Sequence, residues 1–177
     1  AKTLRHASNE LNKEKTELKK YRRQELLALR RVPTEIAIER NTWFHLGINS
    51  SEQFIYCLRR ILDPVKEHVD NNFNPLPAEY IEEFRPIRAQ INDLMQQTES
   101  QISTCRFENY RETLSLADQC KDELSVIRKK HIDRIQQSKD NSKLQVSLVY
   151  LNLLQESQQL LSNMRHQLRA AKKFIDN

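Results

Sequence analysis

The sequence predicts an all-α protein, an antiparallel bundle of four to five long helices. Three observations carry this. Gly47 is the single glycine in 177 residues, and tight hairpins and open α/β turns need residues at positive φ that helices do not. Apolar residues recur at spacings of three and four over long stretches. Short breaks separate those stretches, at Pro33, at Asp70–Pro77 and at Asp140-Asn141-Ser142. Rods of about 30 residues are about 45 Å long, and short turns between them make antiparallel neighbours.

The first helix is expected over Lys2–Arg31, stopping before Pro33 because the residue preceding proline avoids the α region. Leu4, Leu11 and Leu18 recur every seven residues, a narrow seam rather than a broad buried face. This helix is therefore expected to pair loosely at its start and dock near its end. A second helix is expected over Thr34–Val69, with Ile36, Trp43, Phe44, Phe54, Leu58, Ile61 and Val65 on its stripe. Pro64 should kink it or end it early. Pro77 suits the first turn of a third helix, where Glu79, Glu82 and Glu83 meet the positive end of the dipole. Its inner face carries Tyr80, Phe84, Ile87, Ile91, Leu94 and Ile102, and Pro86 is expected only to bend it. A fourth helix over Arg106–Ser138 turns Leu114, Ala117, Leu124 and Ile127 inward. The fifth, over Lys143–Ile175, is apolar on more than one face from Val146 to Leu154, the pattern of a central helix. Residues 1–31 thus form a basic helix and residues 32–177 a bundle domain.

Charge is unevenly placed. The first 31 residues hold ten basic side chains, among them Lys13, Lys15, Lys19, Lys20, Arg22 and Arg23, against four acidic ones, a net +6. The whole chain carries +5, so the remainder is nearly neutral at −1. Such an arm suits a polyanion, an anionic membrane surface or solvent. Tyr21 is its only aromatic residue and Glu10, Glu14 and Glu17 interrupt it, so no nucleic-acid partner is expected. An anionic membrane surface fits better, since headgroups attract Lys and Arg by ~1 kcal/mol each. No run of about 18 apolar residues occurs, so no segment is expected to span a bilayer.

Several chemistries are excluded by residue type. One glycine cannot build a P-loop or a dinucleotide fingerprint. Cys57, Cys105 and Cys120 lack C-x-x-C spacing, which argues against a disulfide scaffold or a zinc site. No acidic residue has a histidine three positions later, so the usual di-metal carboxylate bundle site cannot be assembled. His45 and His131 fall near apolar stripes and read as structural. His68 and Asp70 flank the Asn-rich break and read as caps or as a binding pair. No enzyme activity and no cofactor are expected. Carboxylate pairs four apart share a helix face and can share a cation. Asp118/Asp122 is the candidate for a divalent or iron metal, with Glu35/Glu39 and Glu79/Glu83 as weaker pairs.

Four stretches carry a family resemblance: Trp43-Phe44-His45-Leu46-Gly47, Glu67–Leu76, Tyr150–Leu161 and Leu168–Phe174. Together they resemble the PhoU-like, helical C-terminal cytosolic domain of bacterial inorganic phosphate transporters of the PiT type. The resemblance implies a regulatory or assembly domain on the cytoplasmic face of the inner membrane. Its partner would be the transmembrane permease portion of the same polypeptide. A change of helix packing, or association into a homo-oligomer, would bias phosphate transport. The basic helix would then be the linker from the membrane region, and the absence of an initiator Met would fit a segment of a longer chain. PhoU proteins carry E/D-x-x-x-D metal motifs, and Asp118-Gln119-Cys120-Lys121-Asp122 matches one locally. Two alternatives are a freestanding scaffold that offers the Leu4/Leu11/Leu18 seam to a partner helix, and a PhoU-like metal-binding regulator of phosphate uptake.

Overall fold

The computed structural model describes residues 2–31, 33–71, 74–137 and 143–176. Asn72, Phe73 and the expected break at Asp140-Asn141-Ser142 lie outside the described residues. Five helices follow in order: α1 (Lys2–Leu29), α2 (Thr34–Asp70), α3 (Ala78–Thr104), α4 (Tyr110–Gln137) and α5 (Leu144–Asp176). The protein is an all-helical bundle, as the apolar periodicity predicts.

Side-chain pairs fix the directions. Arg60 reaches Glu156 while Ser51 reaches Gln167, so α2 and α5 are antiparallel. Glu83 meets Lys130 while Gln101 meets Thr113, which makes α3 and α4 antiparallel. His131 meets Ser147 while Asp118 meets Arg165, and α4 and α5 run oppositely too. α5 lies at the centre against α2, α3 and α4. Its apolar residues on several faces serve this position: Tyr150, Leu154, Leu161 and Leu168 are each at most 1 % exposed. Burying such a side chain contributes about 1.5–3 kcal/mol.

Pro64 does not end α2 early; the helix continues to Asp70. Proline removes the N–H that would reach the carbonyl four residues back. That carbonyl belongs to Arg60, and Asn152 of α5 donates to it at 2.7 Å. The α3 terminus is closed without glycine. Cys105 adopts a left-handed conformation at φ 53°, and Arg106 N–H reaches the Gln101 carbonyl at 3.1 Å, the geometry of a Schellman cap.

α1 differs from expectation. Among the described residues it packs on α2 and on no other helix. Its docking runs from Leu4 to Leu18, through the partly buried Leu4, Ala7, Leu11, Lys15 and Leu18, while Tyr21 and Leu27 near its end are 58 % and 60 % exposed. The reason lies in α2. Near its start, Trp43, Phe44 and Gly47 turn toward Ala170, Ala171 and Phe174 of α5. Further along, Ile55 and Tyr56 face Leu18. The leucine seam is thus occupied within the chain by α2.

Candidate functional site

The most developed polar site joins α3, α4 and α5. Glu83 follows the apolar stripe of α3 closely enough to face inward, and Lys130 and Arg134 stand one turn apart on α4. Arg134 donates to both Glu83 carboxylate oxygens, at 3.0 and 3.1 Å, and Lys130 Nζ donates at 3.2 Å. The Tyr150 hydroxyl of α5 adds a fourth bond at 3.1 Å. Tyr150 stacks on Tyr80 with centroids 4.6 Å apart, and His131 meets both rings edge-on. The Arg134 guanidinium also lies over the Tyr80 ring at 5.8 Å, a cation–π contact.

The electrostatics follow from this packing. Burial pushes the Glu83 carboxyl up, but the bonds from Arg134, Lys130 and Tyr150 together hold it below the usual carboxylate range. Burial and the neighbouring Glu83 push the Tyr150 phenol up. Burial holds His131 below its ordinary value, against the opposing bond to Ser147. His131 Nε2 faces the Ser147 carbonyl at 2.9 Å and must carry the proton to donate there. Nδ1 is then a buried acceptor without a hydrogen-bond partner among the described residues. Beside the hub, Leu76, Tyr80, Phe84, Arg85, Arg88 and Tyr150 line a cleft of about 320 Å³.

A second junction ties α2 to α5. Glu156 is buried and pairs with Arg60 at 2.8 Å. Arg60 and Asn163 both donate to the Cys57 thiol, at 3.2 and 3.3 Å. Burial raises the Cys57 pKa, and it pushes Cys120 up to about 11. Both buried thiols are therefore protonated at neutral pH and behave as small apolar groups.

The residues singled out in the sequence are not brought together at one point. The Asp118 carboxylate pairs with Arg165 at 2.7 Å, and Asp122 is exposed one turn on. A cation at this pair would have to displace a guanidinium. Among the described residues no group of three or more His, Cys, Asp or Glu side chains is placed to hold a metal ion. His68 closes the α2–α3 connection, its Nε2 at 2.6 Å from the Asn74 carbonyl. His131 is fully buried, and His45 is partly buried beside Phe44. On α1, Lys13 pairs with Glu10 and Lys20 with Glu17, each at 2.6 Å. Arg22 reaches Glu52 of α2 at 3.7 Å, and Lys15 lies over the Tyr56 ring at 5.0 Å. Lys19 and Arg23 are exposed. Among the described residues no helix is long and apolar enough to cross a membrane.

The hub was hidden in the sequence because Glu79/Glu83 reads as a weak cation pair at a helix start, and nothing marks Lys130 and Arg134 as facing a neighbouring helix rather than solvent. One signal was present: Tyr150 sits within the most apolar run of the chain, and a buried tyrosine needs a partner for its hydroxyl. In comparisons with known proteins the chain matches no family model, no curated protein and no solved structure.

Proposed function

We propose that the chain is a cytoplasmic regulatory or assembly domain of an inorganic phosphate transporter, PhoU-like in architecture and without a catalytic step of its own. The supporting observation is the position of the stretches that carry the resemblance. Trp43–Gly47 on α2 is about a hundred residues from Tyr150–Leu161 and Leu168–Phe174 on α5, yet the two helices pack together, with Glu67–Asp70 at the far end of α2. The stretches that suggest the resemblance thus belong to one packed pair of helices. On this reading α1 follows the permease, the permease is the conduit, and packing of α3 and α4 on α5 at the Glu83 hub is the variable state.

Cell fractionation followed by immunoblotting tests it. The expected band is well above 21.1 kDa, in the membrane pellet and resistant to a high-salt wash. Removing the domain should alter phosphate uptake while the permease still reaches the membrane. A soluble band at the mass of this chain would sink the reading.

A further inference from the structure

α1 presents one face to α2 from Leu4 to Leu18, about 22 Å, and the opposite face to solvent. The partly buried Leu4, Ala7, Leu11, Lys15 and Leu18 define the α2 side. At 100° per residue, Lys2, Arg5, Lys13, Lys20 and Arg23 fall on the other side, and all five are exposed. Glu14 lies toward a flank and Glu25 on the α2 side. Glu10 and Glu17 pair with Lys13 and Lys20 from three residues away. Such exposed local pairs are weak and easily exchanged for another anion.

Where α1 turns into α2, the charge is joined by bare aliphatic groups. Leu26, Leu27, Ile36 and Ile38 are exposed and lie close in sequence to the exposed Arg22, Arg23, Arg30 and Arg31, with Ile38 at 65 %. A nucleic acid gains little from aliphatic side chains, and the face offers one aromatic ring, Tyr21, for base stacking. An anionic bilayer uses both features: basic side chains on its headgroups and apolar ones at the acyl boundary.

Building on the reading of the chain as a domain of a membrane protein, we propose that the outer face of α1 docks on an anionic lipid bilayer. The helix lies along the membrane plane and its α2-proximal tip dips into the interface. The bundle is then held on its side, with α2 above α1 and the Glu83 hub away from the lipid.

Sedimentation of the full chain with vesicles tests this. Binding is expected to phosphatidylcholine vesicles containing about one third phosphatidylglycerol, not to phosphatidylcholine alone, and to weaken with salt. Lys13→Glu, Lys20→Glu and Arg23→Glu together should weaken binding about a hundred-fold. Arg88→Glu, Lys129→Glu and Lys143→Glu make the same charge change elsewhere and should cost less than tenfold. All six side chains are exposed, so circular dichroism should show both variants fully helical. Equal losses in the two variants, no preference for the anionic vesicles, or capture of a DNA duplex at a salt concentration where vesicles stay unbound would overturn the proposal. Fractionation separates the two readings. A soluble chain that binds vesicles through this face keeps the surface and removes the transporter. A membrane-resident chain without vesicle binding does the reverse.

Discussion

Glu83→Gln isolates the three-helix hub with little change of volume. The Glu83 side chain is 14 % exposed and that of Arg134 30 %, whereas Lys130 is 61 % exposed. The Lys130 contact is therefore screened and contributes little. Removing one member of a fully buried pair costs about 3–5 kcal/mol. Here the pair is open on one side, and the Gln carbonyl can still accept from Arg134. The Tyr150 hydroxyl must then compete for that same oxygen. A loss of about 2 kcal/mol follows. Urea unfolding followed by far-UV circular dichroism reads it as a lower midpoint at unchanged slope. Tyr150→Phe, which deletes one bond and leaves the ring stack, should cost about 1 kcal/mol. The double variant should lose less than the sum, because both changes break the same contact. A Glu83→Gln protein within about 0.5 kcal/mol of the parent would show that the hub is screened and carries no stability.

Four further outcomes are expected. The pKa of His131 is lowered by burial from 6.5, so the unfolded chain takes up that proton first. Its stability contribution is complete above about pH 6.5 and declines as pH falls below it. Glu83, lowered from 4.5, adds a second decline below that pH; urea midpoints of His131→Leu should lose the first decline and keep the second. Leu154→Ala, at a fully buried position of the central helix, should cost about 2–5 kcal/mol in the same assay. With a thiol reagent under native conditions, exposed Cys105 should label promptly, while buried Cys57 and Cys120 should label only at the rate of unfolding. Leu11→Lys with Leu18→Lys should make α1 protease-sensitive while α2–α5 melt as before, since among the described residues α1 rests on α2 alone.

Much of the fold was legible because it depends on local pattern. The stripes of α3 and α4 appear as the spacing of Ile87, Ile91, Leu94, Ala117 and Leu124, all buried. The centrality of α5 is visible in its apolar residues on more than one face. What escaped depends on partners distant in sequence. Pro64 reads as a breaker because the remedy, Asn152, is on another helix, 92 residues from Arg60. The docked end of α1 depends on which way α2 turns its aromatic residues. The hub joins Glu83 to Arg134 and Tyr150 across 51 and 67 residues, and charged pairs one turn apart look alike whether they face solvent or a neighbouring helix.

The central place of α5 sets the order in which this chain can fold. Helices α2 to α4 leave the ribosome before the element they surround, and α2 contacts reach across 106 residues from Cys57 to Asn163. Until α5 emerges, the apolar stripes of α2, α3 and α4 share no common surface to close upon. Contacts this far apart in sequence form late and slowly, so the nascent chain carries exposed stripes through most of its synthesis. A chain stopped before Leu144 would be an assembly of wet helices rather than a smaller bundle, and quality control in the cell would meet it as an unfolded protein.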